Sequence, residues 1–148
     1  MSDSDLIQLY SARILQLTTE IPHLGRLPAP EGSATRRSPQ CGSTVTVDVT
    51  LQDGRVANFA QDVKACALGQ AAAAILGQAL PGLTRAEVAR GAQALRAMLE
   101  GGPVPPAPFA GYEVLTAARS FANRHASILL AIEAAAEAIT AAETRAKP

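Results

Sequence analysis

The chain has 148 residues, 48% hydrophobic and 18% charged, a composition that folds rather than stays disordered. Its 13 Lys and Arg balance its 13 Asp and Glu, which argues against nucleic-acid or membrane binding driven by bulk charge. Aromatic residues make up 3% with no Trp, so the core has to come from Ala, Leu, Ile and Val, and the length suits one domain over residues 1–148.

Residues 4–21 have the spacing of an amphipathic helix. Leu6, Tyr10, Ile14 and Leu17 share a face, Ser4 or Asp3 serves as N-cap, and Pro22 ends it. The stretch 22–39 holds four Pro and two Gly and reads as loop, with room for a short strand at Ser33–Arg37. Thr44–Leu51 alternates, with Val45, Val47, Val49 and Leu51 on one face and Thr44, Thr46, Asp48 and Thr50 on the other, as in a half-buried strand. Asp53-Gly54 then signals a hairpin returning along Arg55–Val63.

Two registers compete for this hairpin. A two-residue turn pairs residues whose numbers sum to 107, which sets Cys41 opposite Cys66. It also places the face of Ala57, Phe59 and Val63 against threonines. A three-residue loop with a bulge shifts the sum to 108, restores apolar pairing and puts Cys66 opposite Gly42. Both registers leave the thiols neighbours.

Cys66 opens an Ala-rich helix that Pro81-Gly82 terminates, and the positive end of the helix macrodipole favours an anion there. Thr84–Leu99 is a helix with a capping box, Thr84 to Glu87, and an inner face of Val88, Leu95 and Leu99. A Gly- and Pro-rich linker over 101–108 precedes a short helix at Glu113–Phe121 and a long one at Ser127–Glu143. The order predicts an α+β fold: a small antiparallel β-sheet, of three strands or a hairpin plus one short strand, covered on one face by about five helices. No uninterrupted apolar run suggests a membrane span. The acidic start, MSDSDLIQ, does not read as a signal peptide, so the expected compartment is the cytoplasm. Thiols stay reduced there, and two cysteines are ligands, catalytic groups or inert core rather than a disulfide.

Leu9-Tyr10 with Pro22-His-Leu-Gly25, Cys41-Gly42-Ser43, Asp53-Gly54-x-Val56, Ala65-Cys66-Ala67-Leu68 and Arg124-His125-Ala126-Ser127 follow one another at informative separations. In this order they resemble the U-type iron–sulfur cluster assembly scaffold family: the NifU N-terminal domain, IscU and SufU. The resemblance implies a [2Fe–2S] cluster, iron or zinc held by cysteines and an Asp. It also implies a cysteine desulfurase and cluster-recipient apoproteins as partners. The family's Asp is replaced here by Ser43. Its third cysteine is replaced by Ser127 if Arg124 anchors the alignment, or by Ala126 if His125 does.

The surviving ligand candidates are Cys41 and Cys66, with Ser43, His125 and Ser127 lining the site and Asp62, Asp48 or water as poorer donors. A serine hydroxyl stays protonated near neutral pH and ligates weakly. Cys66 is also the candidate persulfide acceptor. Three readings stand: a divergent scaffold binding iron, zinc or a nascent cluster through two cysteines; a degenerate paralogue acting only through protein contacts; and a SufU-like zinc-dependent sulfur acceptor. A homodimer pairing two such sites is left open. No G-x-S-x-G elbow and no Gly-rich phosphate loop supports hydrolase or nucleotide chemistry.

Overall fold

The computed structural model describes residues 10–146; the proposed caps Asp3 and Ser4 and the apolar Leu6 lie outside the described residues. The first described helix, α1, spans Ala12–Leu17 and buries Ile14 and Leu17. Its N-cap is Ser11, whose hydroxyl accepts from the Ile14 amide. It ends at Leu17, before Pro22, because Thr18 and Thr19 bond their hydroxyls back to the carbonyls of Leu15 and Gln16. Such local side-chain bonds compete with helix continuation.

The sheet has three antiparallel strands in the order β1 (Gly32–Arg37), β2 (Thr44–Gln52), β3 (Arg55–Lys64). Asp53 and Gly54 both adopt positive φ, +54° and +76°, as a two-residue hairpin turn of the favoured hand requires. Pairing therefore starts at Gln52↔Arg55 and Leu51↔Val56, the register that sums to 107. A bulge then leaves Ala57 unpaired, and from Thr50↔Asn58 to Thr44↔Lys64 the sum is 108. Each expected register holds over part of the hairpin. The shift comes from a bulge within β3 and not from a longer loop.

Beyond the bulge Val45, Val47 and Val49 oppose Val63, Gln61 and Phe59 on the inner face. Ala57, expected on that face, is exposed. Gln61 takes the inner place opposite Val47 and is fully buried. It meets the cost of burial partly by donating Nε2 to the Ala73 carbonyl at 3.1 Å.

Helix α2 spans Ala67–Ala79, α3 spans Arg85–Leu99, and α4 spans His125–Ala146. The expected short helix after the linker is a 3-10 segment, Ala110–Ser120, followed by a single turn at Ala122–Arg124. The capping box at Thr84 and Glu87 forms as expected. Helix α4 packs along β1 and β2 with α2 beside it, and α3 lies against α4. Small side chains permit this: Ala71 to Ala74 on α2 and Ala131, Ala134, Ala135 and Ala138 on α4 are all buried. By length and apolar composition alone this last helical stretch, Ala122–Arg145, would qualify as a membrane span. Its apolar residues lie in the protein core, with Ile128, Ile132 and Ile139 fully buried.

On the outer face Asp48 is completely buried. Arg26 grips it with Nε at 2.7 Å and Nη2 at 3.0 Å, while the Leu27 amide and the Ser33 hydroxyl supply two more donors. Burial pushes the carboxyl up, but Arg26, Ser33 and the Leu27 amide together hold it below the usual range. This ties the segment after α1 to the sheet, where Leu24 also bridges to Gln61.

Candidate functional site

Three chain segments meet at the end of the sheet away from the hairpin turn. The first is the β1–β2 loop, Ser38–Ser43, closed by Ser38 N–H to the Ser43 carbonyl at 2.8 Å and Gly42 N–H to the Ser38 carbonyl at 2.9 Å. Gly42 turns this loop with a φ of +73°, a conformation open to glycine. The loop presents Cys41 to solvent and turns Ser43 inward. The second segment is the junction of β3 with α2, where Cys66 is the N-cap residue and is half-buried. Gln70 steadies this junction by donating to the Ala65 carbonyl at 2.8 Å. The third is the first turn of α4, which brings in Ser127, 1% exposed.

Their side chains form a continuous row. Cys41 Sγ lies 3.0 Å from Ser43 Oγ, Ser43 Oγ 3.5 Å from Ser127 Oγ, and Ser127 Oγ 3.3 Å from Cys66 Sγ. Helix α2 approaches Ser127 closely because residue 69 is Gly: a Cβ there would stand 2.9 Å from Ser127 Oγ and 2.8 Å from Ala65 Cβ. The Cys41 thiol is pulled from its ordinary 9.0 down to about 7. The hydroxyl of Ser38 contributes most, then the Ser43 hydroxyl and amide, with Ser127 adding a little and burial opposing. At neutral pH a large share of Cys41 is therefore the thiolate, the form that attacks sulfur and binds metals.

Of the residues singled out in the sequence, Cys41, Ser43, Cys66 and Ser127 come together. Ser127 occupies the place beside Cys66 that the alignment left between it and Ala126. His125 does not join them: its Nε2 sits 2.9 Å from the Ala118 carbonyl, on the 3-10 segment. Asp48 is committed to Arg26, and Asp62 pairs with Thr46 one row further along the sheet. Among the described residues no group of three or more His, Cys, Asp or Glu side chains is arranged to hold a metal ion. One chain thus offers two thiols and two hydroxyls, half of the four strong donors that a structural zinc or a [2Fe–2S] cluster takes.

Ser38 was not foreseen. Ser38 is 1% exposed, its hydroxyl makes no hydrogen bond among the described residues, and it is near enough to Cys41 to lower that thiol. The available signal was its place three residues before a cysteine in a loop bounded by two strands.

The chain is similar to the crystal structure of the N-terminal part of a nitrogen-fixing NifU-like protein from Brucella abortus. The identity is 38% over 96% of this chain and 99% of that one, with a TM-score of 0.91. The fold also matches a candidate iron–sulfur cluster assembly scaffold protein for the SUF system from Fervidobacterium islandicum AW-1. That match has 16% identity, covers 90% of this chain and 98% of that one, and has a TM-score of 0.79. A hypothetical protein solved at 2.3 Å matches at 24% identity with the same coverage and TM-score. No family model matches the chain, and no curated protein does.

Proposed function

The chain belongs to the NifU-like family of iron–sulfur scaffold domains, and from that premise we propose that it serves iron–sulfur cluster assembly through a two-thiol site. In this reading Cys41 is the outer thiol, which meets incoming sulfur or iron, and Cys66 is the inner thiol. Ser43 and Ser127 line the floor and orient both sulfurs. The cargo is iron or a nascent [2Fe–2S] cluster, with zinc as a competing occupant. A cysteine desulfurase supplies sulfur, apoproteins receive the product, and the site works in a reducing cytoplasm.

The observation that carries the proposal is the unbroken row from Cys41 through Ser43 and Ser127 to Cys66, gathered from three distant segments. Serine hydroxyls within hydrogen-bond reach of both sulfurs stabilise thiolates without competing strongly for the metal. The loop keeps one thiol accessible while α4 shields the other.

The test is anaerobic reconstitution with iron and sulfide, followed by iron, zinc and acid-labile sulfide analysis of the wild-type chain and of Cys41→Ala and Cys66→Ala. Cargo bound by the wild type and lost in both variants supports the proposal. A second reading, a family member kept for protein contact alone, is favoured by the missing third ligand. It replaces the first if the wild type retains neither metal nor sulfide and takes no persulfide on either cysteine.

A further inference from the structure

We infer that the thiol end of the sheet holds a place for a small free thiol bearing carboxylates, of about tripeptide size, whose sulfur supplies a third strong donor beside Cys41 and Cys66. This deepens the proposed function and rests on it. The two cysteines are free, and among the described residues no further strong donor joins them. An open metal site works with three strong ligands and one solvent position, so the chain falls one donor short. Ser43 and Ser127 do not make up the difference, because a hydroxyl keeps its proton near neutral pH.

Charge, spacing and room describe the missing ligand. Arg37, Thr44 and Lys64 stand in one row across β1, β2 and β3, so their side chains share one face of the sheet. Both cations are exposed, and neither forms an ion pair among the described residues. Lys64 lies two residues before Cys66 and Arg37 four before Cys41, one cation on the approach to each thiol. Neighbouring strands lie about 4.8 Å apart, which sets the Arg37 and Lys64 backbones about 10 Å from each other. An extended peptide of three residues also spans about 10 Å. Carboxylates at its two ends meet both cations, and a thiol midway along it faces the gap between them. Cys41 is exposed, as are Pro39 and Gln40 before it. Arg37 reaches towards Gly42, the neighbour of Cys41, and a shallow cavity of about 390 Å³ lies against Arg37 and Pro39. That volume is in the range of small-ligand sites. Sulfur is the donor that matches the two already present, and thiolates suit the softer metals. Binding forms three metal–sulfur bonds and releases three thiol protons to solvent, with nothing oxidised or reduced.

The test is native mass spectrometry together with anaerobic titration of zinc or ferrous iron against a chromophoric chelator, each read against the same thiol without the chain. Glutathione is the anionic thiol, 2-mercaptoethanol the neutral one and cysteamine the cationic one. The expected result is a single chain carrying one zinc and one glutathione. Millimolar glutathione should raise the apparent zinc affinity about tenfold, as a ligand taken only by the bound form does, and the other two thiols should raise it less. Arg37→Glu combined with Lys64→Glu should reverse the order, with cysteamine above glutathione, a result that a misfolded chain would not give. A metal-bearing chain with no thiol in its mass, or a two-chain mass without one, overturns this inference and leaves the proposed function standing. So do equal gains from all three thiols, or an order unchanged in the charge-reversed variant. Retention of neither zinc nor iron under any of these conditions defeats both.

Discussion

Restoring the missing ligands within one chain tests whether the donors, and not the backbone, limit this site. The perturbation is Ser127→Cys together with Ser43→Asp. Tetrahedral zinc with bonds of about 2.3 Å to sulfur sets its sulfur ligands about 3.8 Å apart. Ser127 Oγ already lies 3.3 Å from Cys66 Sγ, and the longer carbon–sulfur bond of cysteine moves the contact in the required direction. Ser43 Oγ is 3.0 Å from Cys41 Sγ, so a carboxylate there starts beside the other thiol. Four-ligand structural zinc sites bind with about 10–16 kcal/mol, or about 3 kcal/mol for each ligand if shared evenly. Two added ligands, discounted for burying a carboxylate, should tighten zinc at least about a thousandfold. Anaerobic competition against a chromophoric chelator measures this. A double variant that binds zinc no tighter than the wild type would refute the geometric argument. So would a wild type that already binds as tightly as the variant.

Three further outcomes follow from other parts of the molecule. Alkylation of Cys41 by iodoacetamide, followed by peptide mass spectrometry, should show a midpoint near the value of about 7, and Ser38→Ala combined with Ser43→Ala should move it upward; an unmoved midpoint removes these two hydroxyls as the cause. Asp48→Ala should cost about 2–3 kcal/mol in urea unfolding at neutral pH, less than a fully enclosed pair because Arg26 is 54% exposed and can return to water. The Asp48 carboxyl is held below its ordinary 3.8, so its contribution is complete above that value and is lost as pH falls through the lower folded one; the variant should lack that acid-dependent loss. Tyr112 is fully buried and its hydroxyl has no partner among the described residues, so Tyr112→Phe should leave stability unchanged or raise it by about 1 kcal/mol, and a large loss would point to a further contact.

Local pattern alone determined much of this protein. Alternating valines specified β2, Asp53-Gly54 specified a two-residue turn because both residues tolerate positive φ, and Thr84 with Glu87 marked the start of α3. The family pattern around Cys41 and Cys66 pointed to the candidate site, whose two thiols and two serine hydroxyls the fold gathers into one row. A bulge was legible as one of two registers, but its place at Ala57 was not. Its cost is set by what β3 packs against, and the gain from aligning Phe59 and Val63 with Val49 and Val45 exists only once α2 and α4 cover the sheet. The end of α1 was decided locally instead, where the Thr18 and Thr19 hydroxyls bond back to carbonyls three residues earlier.

The site itself divides along that line. Sequence named four of its members, but whether residue 126 or 127 faced Cys66 depended on the phase of α4, which a one-residue ambiguity rotates by about 100°. Tertiary packing settled that phase by burying Ile128 and Ile132 and seating Ser127 against Gly69. It also turned His125 towards the Ala118 carbonyl, and it set Ser38 near the thiol in a loop whose closure is a matter of backbone hydrogen bonds. Side-chain direction is a property of the assembled fold, so the location of the two thiols was written in the chain, while the company they keep was decided by the structure.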